Sequence, residues 1–214
     1  MSKILYQTQL NYLTKFRKEI DMQILEMEDF AEQKNVPILD WSSAEFLEQL
    51  IWISNPKRVL EIGTAIGYSS IRIAKNLGKK GVLYTIEKSA DNILIAKDNI
   101  NNSGLEDKIV LIEGEALTEM PKMKKKFDFI FLDADKQDYL RLFDYSILLL
   151  KKGGIIFIDN LLWNGYAASS EVPENYKRST ELIREFNEKF MSQKNIKSTI
   201  LPIGDGIGLG IKTK

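Results

Sequence analysis

Two short stretches place hard oxygen ligands where an apolar run stops. "FDFIFLD" (127–133) continues into "ADK", so Asp133, Asp135 and Lys136 follow a segment rich in Phe and Ile, and "GIIFID" (154–159) ends on Asp159 followed by Asn160. Two carboxylates and an amide carbonyl offer three oxygen ligands to a hard cation and leave positions of an octahedral magnesium for water or substrate. Acids at two adjacent strand ends repel each other without a cation, which favours metal ligation for Asp133, Asp159 and Asn160. Lys136 stands within reach of the same point, and a lysine beside a metal can act as a base or orient an oxyanion. Asp135 is expected only to cap a helix beginning near Gln137.

Absences narrow the chemistry further. The 214 residues include no cysteine and no histidine. Thiolate nucleophiles, disulfides, cysteine-ligated zinc, iron–sulfur clusters and Ser-His-Asp triads are therefore excluded. Any metal must have oxygen ligands, and any general base must be Lys, Asp, Glu or Tyr. Lys plus Arg and Asp plus Glu both number 30, so global charge does not indicate strong nucleic-acid binding, although a local basic patch is possible. No apolar run approaches the ~20 residues of a membrane span. The N-terminus, with Lys3 and Arg17, lacks a signal-peptide core, and a cytoplasmic protein is expected.

The strand ends need a scaffold, and the periodicity supplies one. After Pro56 the chain reads as strand 58–63, helix 68–77, strand 81–87, helix 90–102, strands 108–114 and 127–133, helix 138–150 and strand 154–159. Such alternation predicts an α/β fold, a parallel sheet with helices on both faces. A helix over 179–191 follows, then two strands within 196–212 joined around Gly204-Asp205-Gly206. Upstream, the spacing of Leu13, Ile20, Ile24 and Met27 predicts one amphipathic helix from Gln9 to Phe30, with Pro37 breaking it. Ser42 or Ser43 would cap a second helix through Ile53, stopped by Asn55-Pro56. A single domain over 1–214 is expected, with 1–54 a helical extension and 55–214 the catalytic core.

Ligands of an open parallel sheet bind beyond the carboxyl ends of the strands, where the strand order reverses. "LEIGTAIGYSS" (60–70) puts Glu61 inside such an end and Gly63 and Gly67 in the turn after it. The G-x-x-x-G spacing is neither the dinucleotide fingerprint nor a phosphate-cradling lysine loop. Glu87, 20 residues beyond Gly67, stands where an acid accepts hydrogen bonds from ribose hydroxyls. A nucleoside-bearing cofactor without a demanding pyrophosphate is the economical inference, and S-adenosylmethionine fits it.

The combination of "LEIGTAIGYSS", "YTIE", "GEAL", "FDFIFLDADKQDYL", "GGIIFIDNLLWNG" and "LPIGDGIGLGIK" resembles the metal-dependent class I O-methyltransferases, the caffeoyl-CoA and catechol group, from about Val36 onward. The resemblance implies a Rossmann-like, seven-stranded, mostly parallel sheet with an antiparallel last strand. It implies S-adenosylmethionine as donor and magnesium or another hard divalent cation. By the same resemblance Glu61, Gly63, Ser69, Glu87, Glu115, Ala116 and Asp133 would line the donor site, with Leu39 contributing backbone from the entry loop. Asp133, Asp159 and Asn160 would hold the metal, with Lys136 the base candidate. Trp163 would sit near substrate or pack in the core.

The N-terminal half, and the short "TEMPKMKKK" between the third and fourth strands, look most like the bacterial branch that methylates 5-hydroxyuridine at the wobble position of transfer RNA. A small catechol or caffeoyl-CoA-type acceptor is the alternative. For the tRNA anticodon loop, Lys122, Lys124, Lys125, Lys126, Lys177 and Arg178 would meet phosphates, and Tyr166 or Trp163 would stack on a base. Family analogy implies a homodimer, and the apolar face of the N-terminal helix could cover the domain or a second copy.

Overall fold

The apolar runs after Pro56 become seven strands: β1 (Arg58–Ile62), β2 (Val82–Glu87), β3 (Ile109–Glu113), β4 (Phe127–Leu132), β5 (Leu150–Ile158), β6 (Ile196–Leu201) and β7 (Ile207–Lys212). They form one sheet in the order β3-β2-β1-β4-β5-β7-β6 in this computed structural model, which describes residues 4–214 and so leaves Lys3 outside. β1 to β5 pair in parallel, and β7 runs antiparallel to both β5 and β6. The order reverses between β1 and β4, the point at which such sheets open a crevice.

The helices are α1 (Gln7–Thr14), α2 (Met22–Lys34), α3 (Trp41–Ser54), α4 (Tyr68–Asn76), α5 (Ala90–Ser103), α6 (Ala116–Glu119), α7 (Tyr139–Leu149) and α8 (Glu174–Ser192). Alternate strand residues feed two cores. Val59, Phe129, Phe131 and Phe157 pack with residues of α2 to α5, whereas Leu60, Ile62, Ile130, Leu132 and Ile156 pack with residues of α7 and α8. Each such side chain, fully buried, contributes ~1.5–3 kcal/mol. The crevice-bearing strand ends are thus held from both faces. Among the described residues no helix is long and apolar enough to cross a membrane.

Several boundaries differ from the expected ones. The single helix predicted from Gln9 to Phe30 is two, because Glu19 accepts the Ile20 and Asp21 amides and Asp21 caps α2 through the Gln23 and Ile24 amides. Of the predicted apolar face, Ile24 and Met27 are buried while Leu13 and Ile20 stay exposed. α2 ends at a left-handed Asn35, before Pro37 acts. Asp40, not Ser42 or Ser43, caps α3, its Oδ1 accepting the Ser42 amide at 2.9 Å. α8 begins just after Pro173, five residues before the expected 179, since proline is compatible with a helix start.

Candidate active site

The register of β4 against β5 pairs Leu132 with Ile158, so the next residues, Asp133 and Asp159, leave adjacent strands side by side. The Asp159 amide donates to the Leu132 carbonyl at 3.1 Å and the Asp133 amide to the Ile62 carbonyl at 3.0 Å, carrying the ladder one step past the strands. Gly63 is what lets β1 and β4 close here: a Cβ on it would lie 1.8 Å from the Asp133 carbonyl oxygen, and its φ is +100°. The glycine therefore accommodates the neighbouring backbone.

Beyond these ends lies a cleft of about 1040 Å³. Gly63, Glu87, Glu115, Ala116 and Asp133 line it, as do Pro37 and Ile38 from the loop before α3. Leu39, Glu61 and Ser69, expected at the donor, fall outside this lining. Leu39 is buried in the core, and Glu61 lies under the first turn of α4, accepting from the Ser69 hydroxyl at 2.6 Å and from Ser70. Glu87 faces the cleft, but its carboxylate already accepts the Ala65, Lys88 and Ser89 amides at 2.8, 2.9 and 2.8 Å. Three accepted bonds fix the side chain and leave about one lone-pair site of a carboxylate's four for a hydroxyl.

At the opposite end Asp159 is 4% exposed, and its Oδ1 has no partner among the described residues. Burial, with the Asp133 charge adding to it, pushes the Asp159 carboxyl well above the usual carboxylate range. A buried acid with an unpartnered oxygen is stabilised by a cation, and on this observation the set fits a hard divalent metal. Among the described residues no three Asp, Glu, Cys or His side chains make a metal site by themselves, and the Asn160 amide is the further oxygen that would complete a set with Asp133 and Asp159.

The Lys136 ammonium reaches the same point. Its Nζ donates to Asn160 Oδ1 and the Tyr139 hydroxyl, both at 2.6 Å, and lies 3.4 Å from Asp133 Oδ1. It also faces the rings of Tyr139 and Trp163, at 4.4 and 5.5 Å from their centroids. Trp163 lines the cleft, with its ring 6.3 Å from that of Tyr176. Tyr139 was missed in the sequence, although it stands three residues after Lys136; its hydroxyl donates to the Asp159 carbonyl at 3.2 Å, tying lysine to ligand. Asp205 was missed as well, its role hidden inside a hairpin turn. Asp135 does not cap a helix through its side chain: its carboxylate pairs with Lys88 at 2.6 Å across the cleft, where a full charge outcompetes backbone amides.

Most of the basic residues proposed for RNA point elsewhere. Lys122, Lys124, Lys125 and Lys126 precede β4, at the end of the sheet opposite the cleft. Lys122 pairs with Glu119, Lys125 donates to the Tyr84 hydroxyl and Lys126 to the Leu148 carbonyl. Lys177 pairs with Glu174, and Tyr166 packs on Tyr176. Arg178 alone of the six basic candidates lines the cleft.

Comparison with known proteins matches this geometry to a class. The O-methyltransferase family profile matches residues 17–213, starting well before Val36. A caffeoyl-CoA O-methyltransferase from Populus kitakamiensis is 37% identical over 183 residues, 82% of this chain and 77% of that protein. Caffeoyl-CoA O-methyltransferase 2 from Petunia hybrida is 35% identical over 184 residues, 82% of this chain and 76% of that one. The crystal structure of the O-methyltransferase from Bacillus cereus in complex with SAH superimposes with a TM-score of 0.82 at 28% identity, covering 95% of this chain and 96% of that one.

The chain therefore belongs to the O-methyltransferase family, a class of S-adenosylmethionine-dependent transferases. Both of these relatives are caffeoyl-CoA O-methyltransferases, which backs the small-acceptor alternative better than the transfer-RNA reading drawn from the N-terminal half and the short loop before β4.

Proposed function

We propose that this O-methyltransferase methylates one hydroxyl of a small aromatic compound bearing a neighbouring oxygen, with a hard divalent cation held by Asp133, Asp159 and Asn160. The observation that carries the reading is the buried Asp159 carboxylate with its unpartnered oxygen, beside Asn160 and Lys136 in the cleft that also contains Glu87. The caffeoyl-CoA enzymes support the acceptor class, and the SAH bound to the Bacillus cereus enzyme supports the donor. Residues 55–214 form the proposed catalytic unit and 1–54 its helical extension. A second copy is the proposed assembly partner, since Tyr12, Phe16 and Ile20 leave 61%, 61% and 88% of their surface exposed.

The donor would supply an electrophilic methyl on a sulfonium, and the cation would lower the pKa of a hydroxyl bound to it. The chain's own residues do the positioning. Glu87, locked by three amides, presents its remaining acceptor capacity to a ribose. Lys136, held by Tyr139 and Asn160, aims its Nζ at the acceptor end, where it orients an oxyanion or takes a proton as the amine. Trp163 gives the acceptor ring an aromatic wall and displaces water from it. Methyl transfer from a cation to an oxyanion neutralises charge, so alignment and water exclusion outweigh added charge stabilisation.

The test is an acceptor panel read by mass spectrometry: a caffeoyl ester, the matching single phenol, and hypomodified tRNA carrying 5-hydroxyuridine. The vicinal diphenol alone should gain a methyl group. Methylation of the tRNA with no turnover of the diphenol would return the wobble nucleoside to first place.

A further inference from the structure

The Gly204-Asp205-Gly206 turn reads in the sequence as a hairpin connection within a family motif, with no role given to Asp205. We infer that Asp205 is a positioning residue for the ligand loop after β5, fixing both its backbone and the face of the Asn160 amide; the inference rests on the cation reading above. The loop needs such a device. Asn160, Trp163, Asn164 and Gly165 all have positive φ, at 63°, 48°, 55° and 83°. Left-handed backbone is unfavourable for residues with a Cβ, and it persists only where surrounding contacts over-determine it.

Those contacts come from this turn. Asp205 Oδ1 accepts the Asn164 amide at 2.5 Å, the Asp205 carbonyl accepts the Leu162 amide at 2.9 Å, and the Gly206 carbonyl accepts the Leu161 amide at 2.8 Å. The second carboxylate oxygen accepts from Asn160 Nδ2 at 3.4 Å, on the side where Asp159 Oδ2 accepts from the same nitrogen at 3.1 Å. Both acids present an acceptor oxygen to the same nitrogen, so together they select the amide face that keeps Nδ2 toward them. Asn160 Oδ1, the proposed ligand atom, is thereby turned toward Lys136, whose Nζ also neighbours Asp133 Oδ1.

The turn itself is wedged in place. A Cβ on Gly206 would lie 2.5 Å from the Leu162 side chain, and one on Gly204 would lie 2.1 Å from Ser43 Oγ on α3. Asp205 thus holds the ligand loop from a support clamped on two sides. Partners that orient metal ligands in this way typically change metal affinity about 10–100-fold when removed.

The experiment titrates Mn²⁺, followed by its electron paramagnetic resonance signal, into the full chain as wild type, Asp205→Ala and Asp205→Asn. SAH affinity and thermal melting are measured on the same samples. Asp205→Ala should bind Mn²⁺ about 10–100-fold more weakly while its SAH affinity stays within about twofold. Asp205→Asn, which keeps an acceptor for the Asn164 amide but adds a donor facing Asn160, should fall between it and wild type. Wild-type Mn²⁺ affinity in Asp205→Ala would overturn the inference. So would parallel loss of SAH binding and melting temperature in both variants, which marks a purely structural residue. Failure of the wild type to bind Mn²⁺ would remove the cation reading, and the role of Asp205 with it.

Discussion

Glu61 offers a test of how the cleft's supporting layer is built. It is fully buried inside β1 on the face covered by α4, with the Ser69, Ser70 and Thr85 hydroxyls donating to it. Burial outweighs those three hydrogen bonds and lifts its carboxyl from the ordinary 4.5 to about 7. Between those values the native state holds a proton that the unfolded chain releases, so stability falls as pH rises. The contribution is fully present below about pH 4.5 and lost by about pH 8.

At ~1.4 kcal/mol for each tenfold change in proton affinity, the difference amounts to roughly 3 kcal/mol, which for a chain of this length is about 6–12 °C in melting temperature. Glu61→Gln keeps the shape and cannot ionise. Melting curves of ligand-free wild type and variant, recorded from about pH 4.5 to 8, should show the variant gaining on wild type by that amount as pH rises. The shifted Asp159 is common to both proteins, so its own titration largely cancels in the difference. A difference that stays flat within ~1 kcal/mol over the range would refute the claim that burial sets the state of Glu61.

Two other outcomes follow from the same geometry. Lys136→Met removes the Nζ that neighbours Asn160 and Asp133, and should lower the methyl-transfer rate ~10²–10⁴-fold with SAH affinity nearly unchanged; a loss under tenfold would strip Lys136 of its role at the acceptor oxygen. Tyr12→Ser on α1, which buries nothing in the single chain, with Phe16→Ser in the turn after it, should convert the proposed dimer to a monomer in analytical ultracentrifugation without lowering the melting temperature. An unchanged dimer would place the interface elsewhere.

The sheet was legible because its central strands, β1 and β4 above all, are buried on both faces and read as continuous apolar runs between helical periods. The acids at the strand ends were legible for the same reason: Asp133 and Asp159 interrupt a pattern that otherwise has no use for charge. Their proximity, with Lys136, follows from the β4–β5 pairing. What stayed hidden depended on tertiary contacts. Nothing local distinguishes Asp135 paired with Lys88 from Asp135 capping a helix, and nothing near Asp205 announces a loop 45 residues upstream. The N-terminal helix was misread because Ile20 keeps the apolar period while neighbouring acids take the backbone amides. The lysine run before β4 looked like an RNA contact until the strand direction put it at the far end of the sheet from the cleft.

The central claim is that Asp133, Asp159 and Asn160 hold a cation that the reaction needs. It is tested by treating the wild-type protein with EDTA, exchanging the buffer, and measuring methyl transfer to a vicinal diphenol with and without added Mg²⁺. The account predicts that transfer is lost in the stripped protein and restored by Mg²⁺ in the wild type, but not in Asp159→Ala. Undiminished transfer by the stripped wild type, or full activity of Asp159→Ala without metal, would contradict it.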